Sequence, residues 1–84
     1  MKKLVEVSDE GLEGLFGETV TLFCMNYFYT GKLIGINDSC VKLESPKIVY
    51  DTGDWSSKDW TDAQSLPSDL YVQCNSIESF GIMK

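Results

Sequence analysis

The sequence contains no arginine and no histidine. Arginine is the side chain best suited to bidentate phosphate and base contacts. Histidine is the commonest general base and metal ligand near neutral pH. Without them, no Ser-His-Asp or Cys-His arrangement can form. Basic residues are few: seven lysines stand against 13 acidic residues, for a formal net charge of -6. Lys2, Lys3 and Lys84 lie at the two ends, and Lys32, Lys42, Lys47 and Lys58 are scattered. Affinity for nucleic-acid polymers comes largely from phosphate neutralisation by clustered cations, so the composition disfavours a polyanionic partner. Cys24, Cys40 and Cys74 are an odd count with no CxxC spacing, which points to structural thiols rather than a disulfide framework or a zinc site. No apolar run approaches the roughly 20 residues that span a membrane. Met1-Lys2-Lys3 is followed by Leu4 and Val5 and then by Glu6, Ser8 and Asp9, which does not read as a signal peptide. A reducing cytoplasm is the expected location.

The 84 residues suffice for one small domain, 43% apolar and 12% aromatic. A domain of this size buries only about 60% of the surface its unfolded chain exposes. A deep enzyme cleft within one protomer is therefore not expected, and self-association would supply additional burial. No cofactor motif is present: neither G-x-x-x-x-G-K-[ST] nor G-x-G-x-x-G occurs. Asp51, Asp54, Asp59 and Asp62 do not fall into a D-x-[DN]-x-[DN]-G calcium loop and read as solvated carboxylates. The sequence thus predicts a protein that is not an enzyme and carries no cofactor or metal.

Residues 8–17, SDEGLEGLFG, predict a short helix with Ser8 as N-cap, acidic Asp9 and Glu10 in the first turn, and Gly17 as terminator. TVTLFCM (19–25) predicts a strand with Val20, Leu22 and Cys24 on one face. Asn26 and Tyr27 predict a turn. Phe28 to Ile36 predicts a second strand whose Gly31 and Gly35 mark a sharp bend or a close backbone approach. Asn37-Asp38-Ser39 is a turn cluster. CVKLE (40–44) alternates strictly, Ser45-Pro46 breaks or bulges it, and KIVY (47–50) resumes. Residues 51–67, DTGDWSSKDWTDAQSLP, lack periodicity and read as a long loop carrying Trp55 and Trp60. LYVQC (70–74), an Asn75-Ser76 turn and IESFGIM (77–83) return to strand character. The expectation is a mainly β domain: a short N-terminal helix and five strongly bent strands.

Two segments carry a family resemblance. Gly17 to Leu22 followed by Tyr29-Thr30-Gly31-Lys32-Leu33-Ile34-Gly35-Ile36-Asn37-Asp38 resembles the first motif of Sm-like proteins, the Sm, LSm and Hfq group. Leu70 to Phe80 resembles the second motif, a strand, a tight turn and a strand, and Cys40 to Glu44 resembles the third strand between them. The resemblance implies a single Sm-like, SH3-like barrel over 1–84 with a long insertion at 51–67, and a homo-oligomer closed through edge strands. Where RNA-binding relatives carry Arg-Gly in the tight turn, this chain has Gln73-Cys74 followed by Asn75. Phage-encoded Sm-like proteins include sponges for cyclic-nucleotide or ADP-ribose immune signals. By that analogy the expected role is sequestration of a small nucleotide-like ligand, in the host cytoplasm if the chain is viral. The alternatives are an RNA-binding homologue and a protein-interaction module.

The candidate ligand residues follow from the unexplained aromatics. Asn26, Tyr27, Phe28 and Tyr29 precede the barrel motif; Tyr50, Trp55 and Trp60 offer stacking faces; Asp62, Gln64 and Asn75 offer hydrogen bonds. The tryptophans have a second reading, in which they pack the long loop onto the sheet or a neighbouring protomer. On a period-2 strand, Tyr27 and Tyr29 share one face and Phe28 takes the other, so one of the two sets is expected to be buried.

Overall fold

The computed structural model describes residues 10–84. The proposed Ser8 N-cap and Asp9 lie outside the described residues. Within them, the helix contracts to one turn, α1 (Gly11–Gly14), with Glu10 at the N-cap position. Gly11 itself sits at φ 73° and Gly14 follows three residues on, so glycine weakens both ends. The Leu12 and Leu15 side chains pack against the core, and Gly17 at φ 90° turns the chain into the sheet. The Gly17 N–H donates to the Leu33 carbonyl at 2.8 Å.

Six antiparallel strands follow among the described residues: β1 (Thr19–Cys24), β2 (Phe28–Ile36), β3 (Cys40–Asp51), β4 (Asp62–Ser65), β5 (Leu70–Gln73) and β6 (Ile77–Gly81). The sheet runs β4-β3-β2-β1-β6, and β5 pairs with the first half of β3 through Cys40–Gln73 and Leu43–Leu70. A 3-10 turn, Cys74–Ser76, joins β5 to β6, so two outer strands of the sheet are consecutive in the chain. The sheet is not closed by pairing between them.

One expectation is corrected, and the choice left open at Ser45-Pro46 falls to a bulge. The segment 51–67 is not all loop, because Asp62–Ser65 forms β4 against Lys47, Ile48, Val49 and Asp51. DAQS has neither β-branched residues nor alternation, and backbone pairing alone makes it a strand. That raises the count from five strands to six. CVKLE and KIVY, in turn, are halves of one twelve-residue strand. Its bend falls at Ser45, where φ is 51°, and at the fully buried Pro46.

The core is Val20, Leu22, Cys24, Leu33, Val41, Leu43 and Val72. The alternation expected for β1 and β3 is present, with one addition. Thr21 and Thr30 are also buried, and the Thr30 hydroxyl donates to the Val20 carbonyl at 2.9 Å. A buried hydroxyl without such a partner carries a desolvation cost.

Candidate functional site

Three concavities divide the expected ligand residues into separate groups. A cleft of about 470 Å³ lies between the β1–β2 turn and the β5–β6 turn. Asn26, Tyr27, Tyr29 and Asn75 from the expected set line it. The structure adds Tyr71, Gln73, Ser76 and Glu78. Tyr71 and Gln73 alternate with the buried Val72 on β5, so they are forced outward. That signal was present in LYVQC. Glu78 is placed differently. Phe23 pairs with Ser79 and Cys24 with Ile77, leaving Glu78 as the extra residue of a β-bulge. Bulges re-aim side chains, and this one lines the cleft with a carboxylate.

A second bulge frames the opposite side of the β1–β2 turn. Val49 pairs with Ala63 and Asp51 with Asp62, which leaves Tyr50 unpaired on β3. Tyr50 packs edge-to-face on Tyr27, with ring centroids 5.7 Å apart at 88°. Asn26, Tyr27, Phe28 and Tyr50 line a smaller groove of about 180 Å³ there. Phe28 meets Phe23 at 4.6 Å, also edge-on. Neither aromatic set is fully buried: Tyr27 is 44% exposed, while Phe28 and Tyr29 are half-buried. The strand begins only at Phe28, so period-2 alternation does not extend to Tyr27.

Trp55 and Trp60 stand apart from the cleft. They pack edge-to-face on each other at 5.9 Å, and Trp55 leans on Phe23 at 6.0 Å. This arrangement matches their reading as packing residues of the loop. Asp62 lies on β4, lining a hollow of about 410 Å³ with Trp60, Lys47, Lys58 and Lys84. Gln64 is exposed on β4 opposite Ile48.

The cleft's electrostatics follow from its lining. Burial, and then the Glu78 carboxylate, push the Cys24 thiol up from its ordinary value. Burial also raises the Tyr29 phenol, with Cys24, Tyr27 and Tyr50 adding to it. Among the described residues no lysine lines the cleft; Lys42 lies beside it, its ammonium 5.3 Å from the Tyr71 ring centroid and 3.7 Å from Asp69. Tyr71 foremost, and then Asp69, hold that ammonium above its usual value. Among the described residues, no group of three or more His, Cys, Asp or Glu side chains is arranged to hold a metal ion. No helix of the described residues is long and apolar enough to cross a membrane. No protein-family model matches the sequence, and no curated protein matches it.

Proposed function

We propose that this chain is a non-catalytic, Sm-like binding module that acts as a homo-oligomer and sequesters a small nucleotide-like ligand. The single observation that carries this reading is the lining of the β1–β2/β5–β6 cleft. Three tyrosines, Tyr27, Tyr29 and Tyr71, stand there with the amides of Asn26, Gln73 and Asn75 and, among the described residues, no cation. Aromatic faces with interspersed amides suit a planar, polar heterocycle. A volume of about 470 Å³ lies within the ordinary range for small-ligand pockets. The absence of lysine and the presence of Glu78 favour a base or nucleoside moiety over a phosphate chain.

Strand order supports the small-barrel part of the proposal. The outer strands β5 and β6 follow one another through a single 3-10 turn, which links the two ends of the open sheet in the chain. Edge strands β4 and β6 leave unpaired backbone groups that a second protomer satisfies. Sequestration of a cyclic nucleotide or ADP-ribose signal, in a host cytoplasm, is the role within this reading that the resemblance suggests.

Isothermal titration calorimetry against cyclic dinucleotides and ADP-ribose derivatives tests it, alongside native mass spectrometry for oligomer count and co-purified ligand. Saturable binding that Tyr71→Ala weakens by at least about tenfold is expected, since stacking contributes about 1–3 kcal/mol per base. Failure of every compound to bind overturns the signal-sponge role. Salt-sensitive binding of uridine- or adenine-rich RNA in its place establishes the polymer-binding alternative.

A further inference from the structure

The 52–61 loop surrounds a single ammonium. Lys84 Nζ donates to the carbonyls of Thr52 at 2.7 Å, Asp54 at 2.9 Å and Asp59 at 3.0 Å. The same nitrogen lies 4.8 Å from the Trp60 ring centroid and 5.5 Å from that of Trp55. An alkylammonium has three N–H donors, and here each meets a carbonyl while two indoles supply cation–π attraction. The two rings stand at 83° to each other, so both bound one small volume.

The loop holds this shape by its own bonds. Gly53 lies at φ 68°, a conformation that side chains rarely adopt, and an added Cβ would collide with the Thr61 hydroxyl. The Gly53 N–H donates to Asp51 Oδ1 at 3.0 Å. Asp54 Oδ1 accepts from the Ser56 N–H and hydroxyl, both at 2.9 Å, and the Asp54 carbonyl also accepts from the Ser57 N–H at 3.0 Å. These contacts, none of which involves Lys84, brace the peptide groups of residues 52 and 54.

We propose that this loop is a binding site for a primary alkylammonium group, which the chain fills with its own Lys84. The hollow of about 410 Å³ lined by Lys84, Trp60, Asp59 and Thr61 gives an approach to it. Lys47 and Lys58 on that hollow are offset by Asp59 and Asp62, so selection rests on the carbonyls and indoles rather than on net charge. A quaternary ammonium has the charge but no N–H donor, and it is discriminated against. The incoming group is R–NH₃⁺ from either a free amine or a lysine side chain of a partner protein. Its entry displaces the Lys84 ammonium from the loop.

The test is a titration of Lys84→Ala with n-butylamine at pH 7, followed by Trp55 and Trp60 fluorescence and by isothermal calorimetry. Tetramethylammonium and potassium serve as controls. A saturable response is expected in Lys84→Ala, with at least about tenfold weaker apparent affinity in the unmodified chain, where Lys84 competes. Lys84→Met keeps the apolar stem and substitutes if the alanine variant does not fold. A blocked lysine tripeptide, run beside n-butylamine, separates the sources: tighter peptide binding identifies a partner's lysine, and equal binding identifies a free amine. No saturable response in either variant, equal affinity with and without Lys84, or an equal response to tetramethylammonium overturns the proposal.

Discussion

Replacing Gly31 by alanine tests why β2 carries two glycines. Gly31 lies where the β2–β3 register slips: Thr30 pairs with Lys47 but Lys32 pairs with Glu44, so Gly31 faces the Ser45–Pro46 bend. A Cβ built there meets Leu43 Cβ at 3.1 Å, the Glu44 carbonyl oxygen at 3.2 Å and Pro46 Cα at 3.2 Å. Two of those three atoms are main chain, and none is the end of a flexible side chain. Relief therefore requires moving β3 itself. Such overpacking costs about 1–3 kcal/mol. Restricting the unfolded chain returns about 0.4–1 kcal/mol. The net expectation is a loss of about 1–2 kcal/mol. That lowers the melting temperature by about 4–8 °C per kcal/mol for a domain of this size.

Gly35→Ala is the internal control. Its Cβ meets only Lys42 Cβ at 3.2 Å and Lys42 Cδ at 3.9 Å, and the lysine side chain can swing away. Crowding and unfolded-state restriction then nearly offset each other, so the change stays within about 0.5 kcal/mol of zero. Urea denaturation of both variants, with m-values compared, measures the difference. If Gly35→Ala destabilises as much as Gly31→Ala, close approach at the Ser45–Pro46 bend is not what selects glycine.

Two further substitutions address the core and the cleft. Thr30→Val removes the buried bond to the Val20 carbonyl and is expected to cost about 1–2 kcal/mol in urea denaturation; Thr30→Ser, which keeps the hydroxyl, should lose less. Cys24 should be the slowest thiol to alkylate, with a rate that climbs at a pH above the ordinary thiol value of 9.0, and Glu78→Gln should shift that climb to lower pH. Because the folded pKa values of Cys24 and Tyr29 are raised, the stability tied to keeping both groups neutral is full below their unfolded values of 9.0 and 10.0. It is lost as pH rises from there through the folded values, which alkaline melting curves will show.

The alternation of Val20, Leu22 and Cys24, and of Val41 and Leu43, was legible because these side chains enter the core at every second position. The Asn37 turn was legible for a local reason: its side-chain oxygen accepts from the N–H groups of Ser39 at 2.7 Å and Cys40 at 2.8 Å. β4 was not legible, since its existence depends on pairing with β3, as in Lys47 with Ser65 and Val49 with Ala63, rather than on its own residues. The cleft was half legible. Asn26, Tyr27, Tyr29 and Asn75 stood out as polar or aromatic residues at turns, but Glu78 reaches the cleft only through a bulge. Period-2 reasoning assumes an unbroken ladder, so it fails where register shifts place a side chain. The tryptophans are a different case. Their chemistry fits a base, yet Lys84, distant in sequence, already stands between them and the loop carbonyls.

The charge distribution also sets how a nucleotide enters the cleft under the proposed reading. Glu78 lies inside and Lys42 lies beside it, next to Tyr71 and Asp69. A base that donates hydrogen bonds through amino or imino groups meets Glu78 and the amides, whereas a phosphate pushed inward meets the Glu78 carboxylate with no cation lining the cleft among the described residues to offset it. The base therefore leads and the phosphate trails toward the Tyr71 edge. There Lys42 is the available cation, but Asp69 shares it, so a phosphate gains fully only by displacing Asp69. Asp69→Asn then separates the two ends of the ligand. It leaves nucleoside binding unchanged and strengthens binding of the corresponding phosphorylated compound, which paired calorimetric titrations measure directly. Equal gains for both compounds, or a loss for the phosphorylated one, would refute this orientation.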